Sequence, residues 1–268
     1  GSLSHLGRRI LENRVVRSAD QVVWWCNIQM PEDYFHETYP NLPESKFYRI
    51  PYLGVGGVDV EEFDRIEVES YEDFTMTYAG SFYDGWIEPY SFLEGLEVYV
   101  DRHGSDGLSV RFYGDWKEEY RQVVEERGLE DVVTSYDPVP HDEIMAVLKR
   151  SDLLLYIGGD DPRNELNISL KMADYVASRS TVLGIVDPSF RAGEFIEQEN
   201  IGVVAPPGKP ESIADRIHAV RSGDFERNPE DAPVDLFDSK ASMDEFASIM
   251  DTVSEGEQHT KQDSRRVR

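Results

Sequence analysis

The chain contains the stretch Ser151-Asp152-Leu153-Leu154-Leu155-Tyr156-Ile157-Gly158-Gly159, in which five apolar residues follow one another without interruption. Such a run, bounded by polar residues and glycine, is typical of a strand that is covered on both faces, as in a parallel sheet. Similar runs lie on either side of it along the chain. The predicted strands are Phe74–Ala79, Leu108–Tyr113, Val132–Ser135, Leu153–Ile157, Val182–Val186 and Ile201–Ala205.

Amphipathic patterns with helical spacing separate these runs. The predicted helices are Ile87–His103, Lys117–Arg127, His141–Arg150, Ser169–Ser178, Phe190–Glu199 and Pro210–Arg221. Regular alternation of apolar strands and helices predicts a parallel sheet with helices on both faces. Residues 72–222 therefore form a complete α/β domain, a doubly wound, six-stranded, Rossmann-like sheet.

The segments outside this domain are too small to form a second one. Residues 5–19 have helical spacing, residues 21–25 and 46–51 are strand-like, and a short helical stretch begins at Pro31. Two strands and two helices bury too little surface to be stable alone, so residues 1–60 are interpreted as an incomplete part of a second Rossmann-like domain.

That remnant is expected to expose apolar surface around Val22, Val23 and Trp24. After the large domain, residues 223–254 are expected to form a linker and a helix, Met243–Val253. Residues 255–268 are expected to form a disordered tail.

Composition narrows the choice of partners. The 268 residues include 53 Asp and Glu against 27 Lys and Arg, and the formal net charge is −26. Such a surface repels nucleic acid and anionic membranes, so nucleic-acid binding is not expected. The excess of acid is interpreted as a solvated shell suited to high salt, as in halophile proteins. The alternative is an interaction surface for cations.

Cysteine usage and hydropathy exclude further classes. Cys26 is the only cysteine, so no intrachain disulfide and no cysteine-based zinc site can form. No apolar run reaches the ~18 residues of a membrane span, and we expect no secretory leader. We expect a cytoplasmic protein with no bound cofactor.

In a doubly wound sheet, ligands bind outside the carboxyl ends of the strands. The loop Ala79–Trp86 follows the first strand, and Gly80 there allows a phosphate to approach the backbone, with Ser81 as a further donor. The alternative is an ordinary strand-to-helix turn. The loop has neither the spacing of a dinucleotide fingerprint nor a Walker lysine, which disfavours a dehydrogenase and a P-loop ATPase.

A second loop, Gly158–Ser169, is longer and more polar than a connection requires. The candidate residues in it and on the helix that follows are Arg163, Glu165, Asn167, Ser169, Lys171 and Asp174. Carboxylates accept hydrogen bonds from sugar hydroxyls and a lysine neutralises phosphate, so these residues indicate a polyol and phosphate site. The alternative is a solvated helix start with a surface ion pair. A third loop, Tyr136–His141, is suited to holding a flat base, with His141 interpreted as a helix-start residue.

Several stretches together resemble glycosyltransferase family 4. In the first sixty residues they are Asn13, Ser18-Ala19-Asp20-Gln21-Val22-Val23, Lys46, Ile50-Pro51, Gly57-Val58-Asp59 and Phe63. In the large domain they are Thr77–Ser81, Val139–Ile144, Leu148, Ser151–Leu153, Leu170–Ala177, Ile201–Val204, Pro207 and Pro210–Ala214. The likeness covers about residues 8 to 253, and Leu170–Ala177 resembles the Lys-Leu-Phe-Glu-Tyr-Leu-Ala signature of one branch.

The resemblance implies a GT-B fold, with these residues as its C-terminal half and the end of its N-terminal half. It implies retaining transfer of a sugar from a nucleoside diphosphate sugar to a glycan or lipid-linked acceptor, usually without a metal. Gly80 and Ser81 would contact the diphosphate and Asp174 the ribose. Val139, in the Tyr136–His141 loop that is suited to a flat base, is a further candidate site residue. The first acidic residue of the family's Glu pair would fall at Leu166, beside Glu165.

This sequence departs from the family at its phosphate loop. The family often has Arg directly after the glycine and Lys a few residues later, where this chain has Ser81 and Trp86. Donor binding is then expected to depend on Lys171, Arg163 and backbone groups.

Three functions remain open at this stage. The first is glycosyl transfer, for which residues 1–268 alone are expected to be inactive, with any peripheral membrane contact made through the absent domain. The second is a non-catalytic GT-B-like module that binds a nucleotide or a protein. The third is a sugar-nucleotide epimerase, which requires acid and base carboxylates that the sequence does not place.

Overall fold

The computed structural model describes residues 2–24, 33–50 and 57–266, with the backbone alone for residues 2–5 and 255–266. Cys26 and the predicted helix start at Pro31 lie outside the described residues. The strands are β1 (Val22–Trp24), β2 (Phe47–Arg49), β3 (Phe74–Ala79), β4 (Leu108–Tyr113), β5 (Val133–Tyr136), β6 (Leu153–Gly159), β7 (Thr181–Val186) and β8 (Gly202–Ala205). The helices are α1 (Ser2–Ser18), α2 (Tyr34–Thr38), α3 (Val60–Asp64), α4 (Tyr90–His103), α5 (Glu118–Glu126), α6 (His141–Arg150), α7 (Lys171–Ser178), α8 (Arg191–Gln198), α9 (Pro210–Ser222) and α10 (Ser239–Arg266).

Strands β3 to β8 form one parallel sheet in the order β5-β4-β3-β6-β7-β8. This confirms the predicted α/β class and its six-stranded, doubly wound sheet. The chain moves outward from β3 to β5, then crosses back to place β6 on the other side of β3. The strand order therefore reverses between β3 and β6, where ligands bind in folds of this kind.

The uninterrupted apolar run in β6 explains its position at the centre of the sheet. Leu153, Leu155 and Ile157 pack into one core with residues of α4, α5 and α9. Leu154 and Tyr156 pack into a second core, on the other face, with residues of α6, α7 and α8. Burying each of these leucines stabilises the fold by roughly 1.5–3 kcal/mol, and both faces of the strand contribute.

A tyrosine on α7 connects the two strands at the reversal point. Backbone pairing between β3 and β6 covers Met76 with Leu153 and Thr77 with Leu154. Beyond these pairs, the Tyr175 hydroxyl accepts from the Ala79 N–H at 3.2 Å and donates to the Leu155 carbonyl at 3.1 Å. The hydroxyl satisfies buried backbone groups where the strands separate, and it fixes α7 against the carboxyl edge of the sheet.

The N-terminal elements form a small separate core. Strands β1 and β2 pair in parallel, and Trp24 packs on Phe35 of α2 with ring centroids 5.1 Å apart. Trp24 is only 6% exposed and Val22 and Val23 are half-buried, so the expected apolar surface around these residues is wrong. The exposed apolar side chains lie on α1 instead. They are Leu6, Ile10, Leu11 and Val15.

The segment after α9 returns to the large domain. Phe237 is fully buried in the second core, and Val58 pairs with Asp238 in an isolated bridge. Helix α10 begins four residues before the predicted Met243 and continues through Arg266, so the predicted start of a disordered tail at residue 255 falls within it. No helix in the described residues is long and apolar enough to cross a membrane.

The surface charge leads to a first prediction. We expect the melting temperature of the chain to rise as potassium chloride increases from millimolar to molar concentrations. Salt screens the repulsion among 53 acidic side chains, and the Debye length falls from about 30 Å at 0.01 M to about 3 Å at 1 M. Thermal unfolding followed by circular dichroism measures the effect. A melting temperature that stays flat or falls as the salt increases would contradict the electrostatic cause.

Candidate functional site

Two adjoining cavities open at the carboxyl edge of the sheet, at the reversal point between β3 and β6. The first cavity has a volume of about 470 Å³, and the second about 360 Å³. Both volumes lie in the range of small-molecule sites, ~300–1,000 Å³. Ser81, Leu170 and Lys171 line both cavities and so mark their junction. The first cavity is also lined by Gly57, Val58, Ala79, Gly80, Tyr113, Gly114, Pro138, Val139, His141, Ile144, Ala173 and Asp174. The second is also lined by Tyr83, Ile87, Tyr156, Ile157, Gly158, Asn164, Asn167, Ile168 and Ser169.

Two glycines with positive φ shape the wall of the first cavity. Gly80 has φ +138°, and a Cβ there would lie 2.8 Å from Lys171 Nζ. Gly114 has φ +139°, and a Cβ there would lie 2.2 Å from the Gly80 carbonyl oxygen. Both positions favour glycine because their positive φ strains other residues, and at Gly114 the backbone of Gly80 also leaves no space for a side chain. The result is a wall of bare backbone that a phosphate can approach.

Lys171 is the cation at the junction. It is the first residue of α7, and its Nζ donates to the Tyr78 hydroxyl at 2.8 Å and lies 4.1 Å from the centre of the Tyr78 ring. The Tyr78 hydroxyl in turn donates to the Ser81 carbonyl at 2.9 Å. No carboxylate in the described part of the chain forms an ion pair with Lys171. Burial without a counter-charge lowers the pKa of Lys171 to about 7. An anion bound beside Lys171 would stabilise its ammonium form.

Asp174 lies one helical turn from Lys171 and contacts a residue of another helix. His141 Nε2 and Asp174 Oδ1 are 3.0 Å apart. Burial raises the pKa of Asp174, and the hydrogen bond and charge of His141 oppose that shift. His141 begins α6, as the sequence predicts, but it also lines the first cavity, a role that sequence reasoning did not assign to it.

The structure brings together most of the predicted site residues. Those that line the first cavity are Gly80, Ser81, Val139, Lys171 and Asp174, and those that line the second are Ser81, Asn167, Ser169 and Lys171. Arg163 and Glu165 line neither. Arg163 pairs with Asp161 at 2.7 Å and stacks over the Trp86 ring at 4.5 Å. The Glu165 side chain is exposed at the surface.

Two site residues of the large domain could not be recognised from the sequence. The sequence predicts only that Tyr78 lies in a strand, and the fold places its hydroxyl beside Lys171. Asn164 is 4% exposed, and its Nδ2 donates to the Gly158 carbonyl at 2.6 Å. Its burial could not be predicted, because nothing in the sequence shows the loop folding back on its own strand.

The described residues contain no group of three or more His, Cys, Asp or Glu side chains that could hold a metal ion. Lys171 supplies a positive charge at the junction, whereas the Gly80 N–H already donates to the Tyr113 carbonyl at 2.9 Å.

Comparison with known proteins identifies solved structures that are similar to this chain. No family model matches the sequence, and no curated protein sequence matches it either. Solved structures do match. The pneumococcal O-GlcNAc transferase GtfA in complex with UDP and GlcNAc is 11% identical, with a TM-score of 0.61, over 90% of this chain and 47% of that one. HepE from Anabaena in complex with UDP and glucose is 15% identical, with a TM-score of 0.63, over 91% of this chain and 66% of that one.

The glycosyltransferase WaaG, which acts in lipopolysaccharide biosynthesis, is 13% identical, with a TM-score of 0.58, over 80% of this chain and 60% of that one. The large domain has the architecture of the C-terminal half of a GT-B glycosyltransferase. The chain spans less than two thirds of the length of each of these three proteins. At these identities the likeness shows the fold, and the assignment to family 4 stays a prediction.

Proposed function

We propose that this chain is the donor-binding part of a retaining glycosyltransferase of the family 4 type. In this proposal the first cavity binds a nucleoside diphosphate and the second binds the sugar attached to it. The observation that supports it most is the position of Lys171, which lines both cavities and lacks a carboxylate partner among the described residues. The junction is where the diphosphate of a sugar nucleotide would lie.

The proposed chemistry is the stabilisation of a leaving diphosphate. As the bond between the sugar and the phosphate breaks, negative charge grows on the diphosphate. Lys171 and the N-terminus of α7 stabilise that charge. The acceptor, a glycan or a lipid-linked sugar, would approach from a facing domain, and a cytoplasmic location is part of the same proposal.

A non-catalytic nucleotide-binding module is the second candidate. One observation favours it: the loop after β3 carries Ser81 and Trp86 where the resembled family often carries cations, so Lys171 is left as the main cation at the junction. A departing diphosphate would therefore meet fewer cations here than in the resembled family.

Calorimetric titration of the 268-residue chain with UDP and GDP tests the binding part of the proposal. We expect one of the two nucleotides to bind, and failure of both would refute the site. Release of UDP or GDP from the corresponding sugar nucleotides by the natural protein tests transfer. Binding without release would favour the non-catalytic module.

Asp174→Asn provides a prediction for the ribose. We expect the variant to bind the ribonucleotide about five- to tenfold more weakly and the 2′-deoxyribonucleotide with little change. A hydrogen bond to a charged acceptor contributes roughly 1 kcal/mol more than one to a neutral acceptor, and the deoxy analogue lacks the hydroxyl that donates. Parallel titrations measure both affinities. Equal losses for the two nucleotides would contradict a ribose contact.

A further inference from the structure

Helix α1 packs on the small N-terminal core through one side only. Val16 is 4% exposed within that core. The Glu12 carboxylate accepts hydrogen bonds from the hydroxyls of Tyr34 and Tyr39, at 2.9 and 2.8 Å. Successive residues of an α-helix are rotated by about 100°, so Arg14, two residues from both Glu12 and Val16, points almost directly away from the core. The outward side of α1 is therefore centred on Arg14.

This outward side combines apolar and positively charged side chains. Its exposed apolar residues, each more than half exposed, are Leu6, Ile10, Leu11 and Val15. Arg14 and Arg17 are exposed among them. No carboxylate in the described part of the chain forms an ion pair with either arginine, although the chain has 53 acidic residues against 27 Lys and Arg. Apolar side chains and unpaired arginines, left exposed on so acidic a protein, indicate a docking surface.

The pattern on α1 suits a protein partner better than a membrane. A helix that lies on a membrane separates an apolar face from a charged face. On α1 the helical rotation places Arg14 between Ile10 and Leu11, so the apolar surface is interrupted by charge. Protein interfaces, in contrast, are enriched in arginine. With a net charge of −26, the chain as a whole is also repelled by an anionic bilayer.

Helix α10 carries an apolar surface of the opposite charge. Met243 and Met250 are about two helical turns apart and so lie on one face, where they are 48% and 51% exposed. Asp244 and Asp251 follow them directly in the chain and are exposed beside them. Neither aspartate forms an ion pair within the described residues. Methionine adapts to irregular partners, so this face is suited to the aliphatic and arginine side chains of α1.

We propose that a second copy of the chain docks on these surfaces, with α1 of one copy packed on α10 of the other. The two surfaces are exposed within one copy, so they are not already covered by each other. Since each copy has both, two copies can form the contact twice about a twofold axis and close as a dimer. The arginines of α1 then approach the aspartates of α10, and the aliphatic side chains of α1 cover its methionines.

Repulsion between two copies, each with a net charge of −26, opposes this contact. The repulsion acts over long distances and is largely screened at about 0.15 M salt, where the Debye length is about 8 Å. Ion pairs buried in an interface are closer than that and are screened much less. The dimer is therefore expected at physiological ionic strength and above it.

The test exchanges charge between the two helices of the full 268-residue chain. One variant carries Arg14→Glu with Arg17→Glu, and the other carries Asp244→Arg with Asp251→Arg. Sedimentation equilibrium is expected to show a dimer for the unaltered chain at micromolar concentrations. Each variant alone should dimerise at least about a hundredfold more weakly, because like charges then meet across the interface.

An equimolar mixture of the two variants should restore the dimer. In the mixture the acidic α1 of one variant meets the basic α10 of the other, and the basic α1 meets the acidic α10. A general effect of net charge on association would not give this rescue. Arg102→Glu with Arg121→Glu is the matched control, because these arginines are exposed on α4 and α5 and the change in net charge is the same. We expect that control to remain a dimer.

A monomeric unaltered chain at every salt concentration would overturn the inference. Dimers of undiminished affinity in either charge-reversed variant would overturn it as well. A mixture that stays monomeric, although both variants unfold cooperatively on heating, would show that the two helices do not meet each other.

Discussion

Lys171→Met is expected to weaken binding of the nucleoside diphosphate by about ten- to a hundredfold and, in the same protein, to raise the melting temperature of the ligand-free chain. The loss of binding follows from the charge-assisted contact to phosphate, which contributes roughly 1.5–3 kcal/mol. The gain in stability follows from burial. In the folded chain the pKa of Lys171 is lowered to about 7, so folding disfavours the ammonium form.

The sign of that stability effect depends on pH. A lysine whose pKa is lower in the folded state than in the unfolded state destabilises the fold fully below pH 7. The penalty declines as the pH rises from 7 to about 10.4, where the unfolded lysine also loses its proton. Methionine has a similar length and no charge, so the stabilisation by Lys171→Met should be largest at and below neutral pH and should fade in alkaline buffer.

Calorimetry and thermal unfolding measure the two effects. Lys240→Met is the matched control, because Lys240 is an exposed lysine, 70% accessible, on α10, and we expect neither affinity nor stability to change there. Normal nucleotide binding by the Lys171→Met protein would show that Lys171 does not contact the nucleotide. A protein that binds poorly and is also less stable would show a structural role instead.

The second large effect is a dependence of affinity on pH. We expect the association constant for the nucleotide to be nearly constant up to pH 7 and then to fall by close to tenfold for each further pH unit. The phosphate needs the ammonium form of Lys171, and above pH 7 that form must first be restored by taking up a proton.

Titrations at pH 7, 8 and 9, in buffers of different ionisation enthalpy, report both the affinity and the proton taken up. The Lys171→Met variant, which cannot take up that proton, is expected to lose the dependence. An affinity of the unaltered chain that stays constant from pH 7 to 9 would show that Lys171 is already charged before the ligand arrives.

The large domain could be predicted from the sequence because its strands are encoded locally. β3 and β4 have the predicted boundaries, and α6 does as well. β6 extends two residues past its apolar run, to Gly159, which pairs with Val186 after a shift of register between Ile157 and Gly159 that no local pattern reveals. The N-terminal elements were less predictable, because the burial of Trp24 depends on Phe35, a contact between separate elements that no local pattern reveals.

The site was only partly predictable, for the same physical reason. The rule that ligands bind at strand ends selects the loops of Gly80 and Lys171, and the structure brings them to one junction. This rule does not predict the direction in which a loop side chain points. Arg163 pairs with its neighbour Asp161, while Asn164, the next residue, turns inward and is buried. Tyr78 contributes through its hydroxyl although its position predicts only core packing.

The Tyr175 hydroxyl that spans the separated ends of β3 and β6 has a mechanical consequence. Lys171, Asp174 and Tyr175 are spaced so that they lie on one face of α7, within a single turn. The side chains that would contact a ligand and the hydroxyl that bonds to both strands therefore belong to one short helix. A displacement of α7 would therefore change the positions of Lys171 and Asp174 and the two hydrogen bonds of the Tyr175 hydroxyl at the same time.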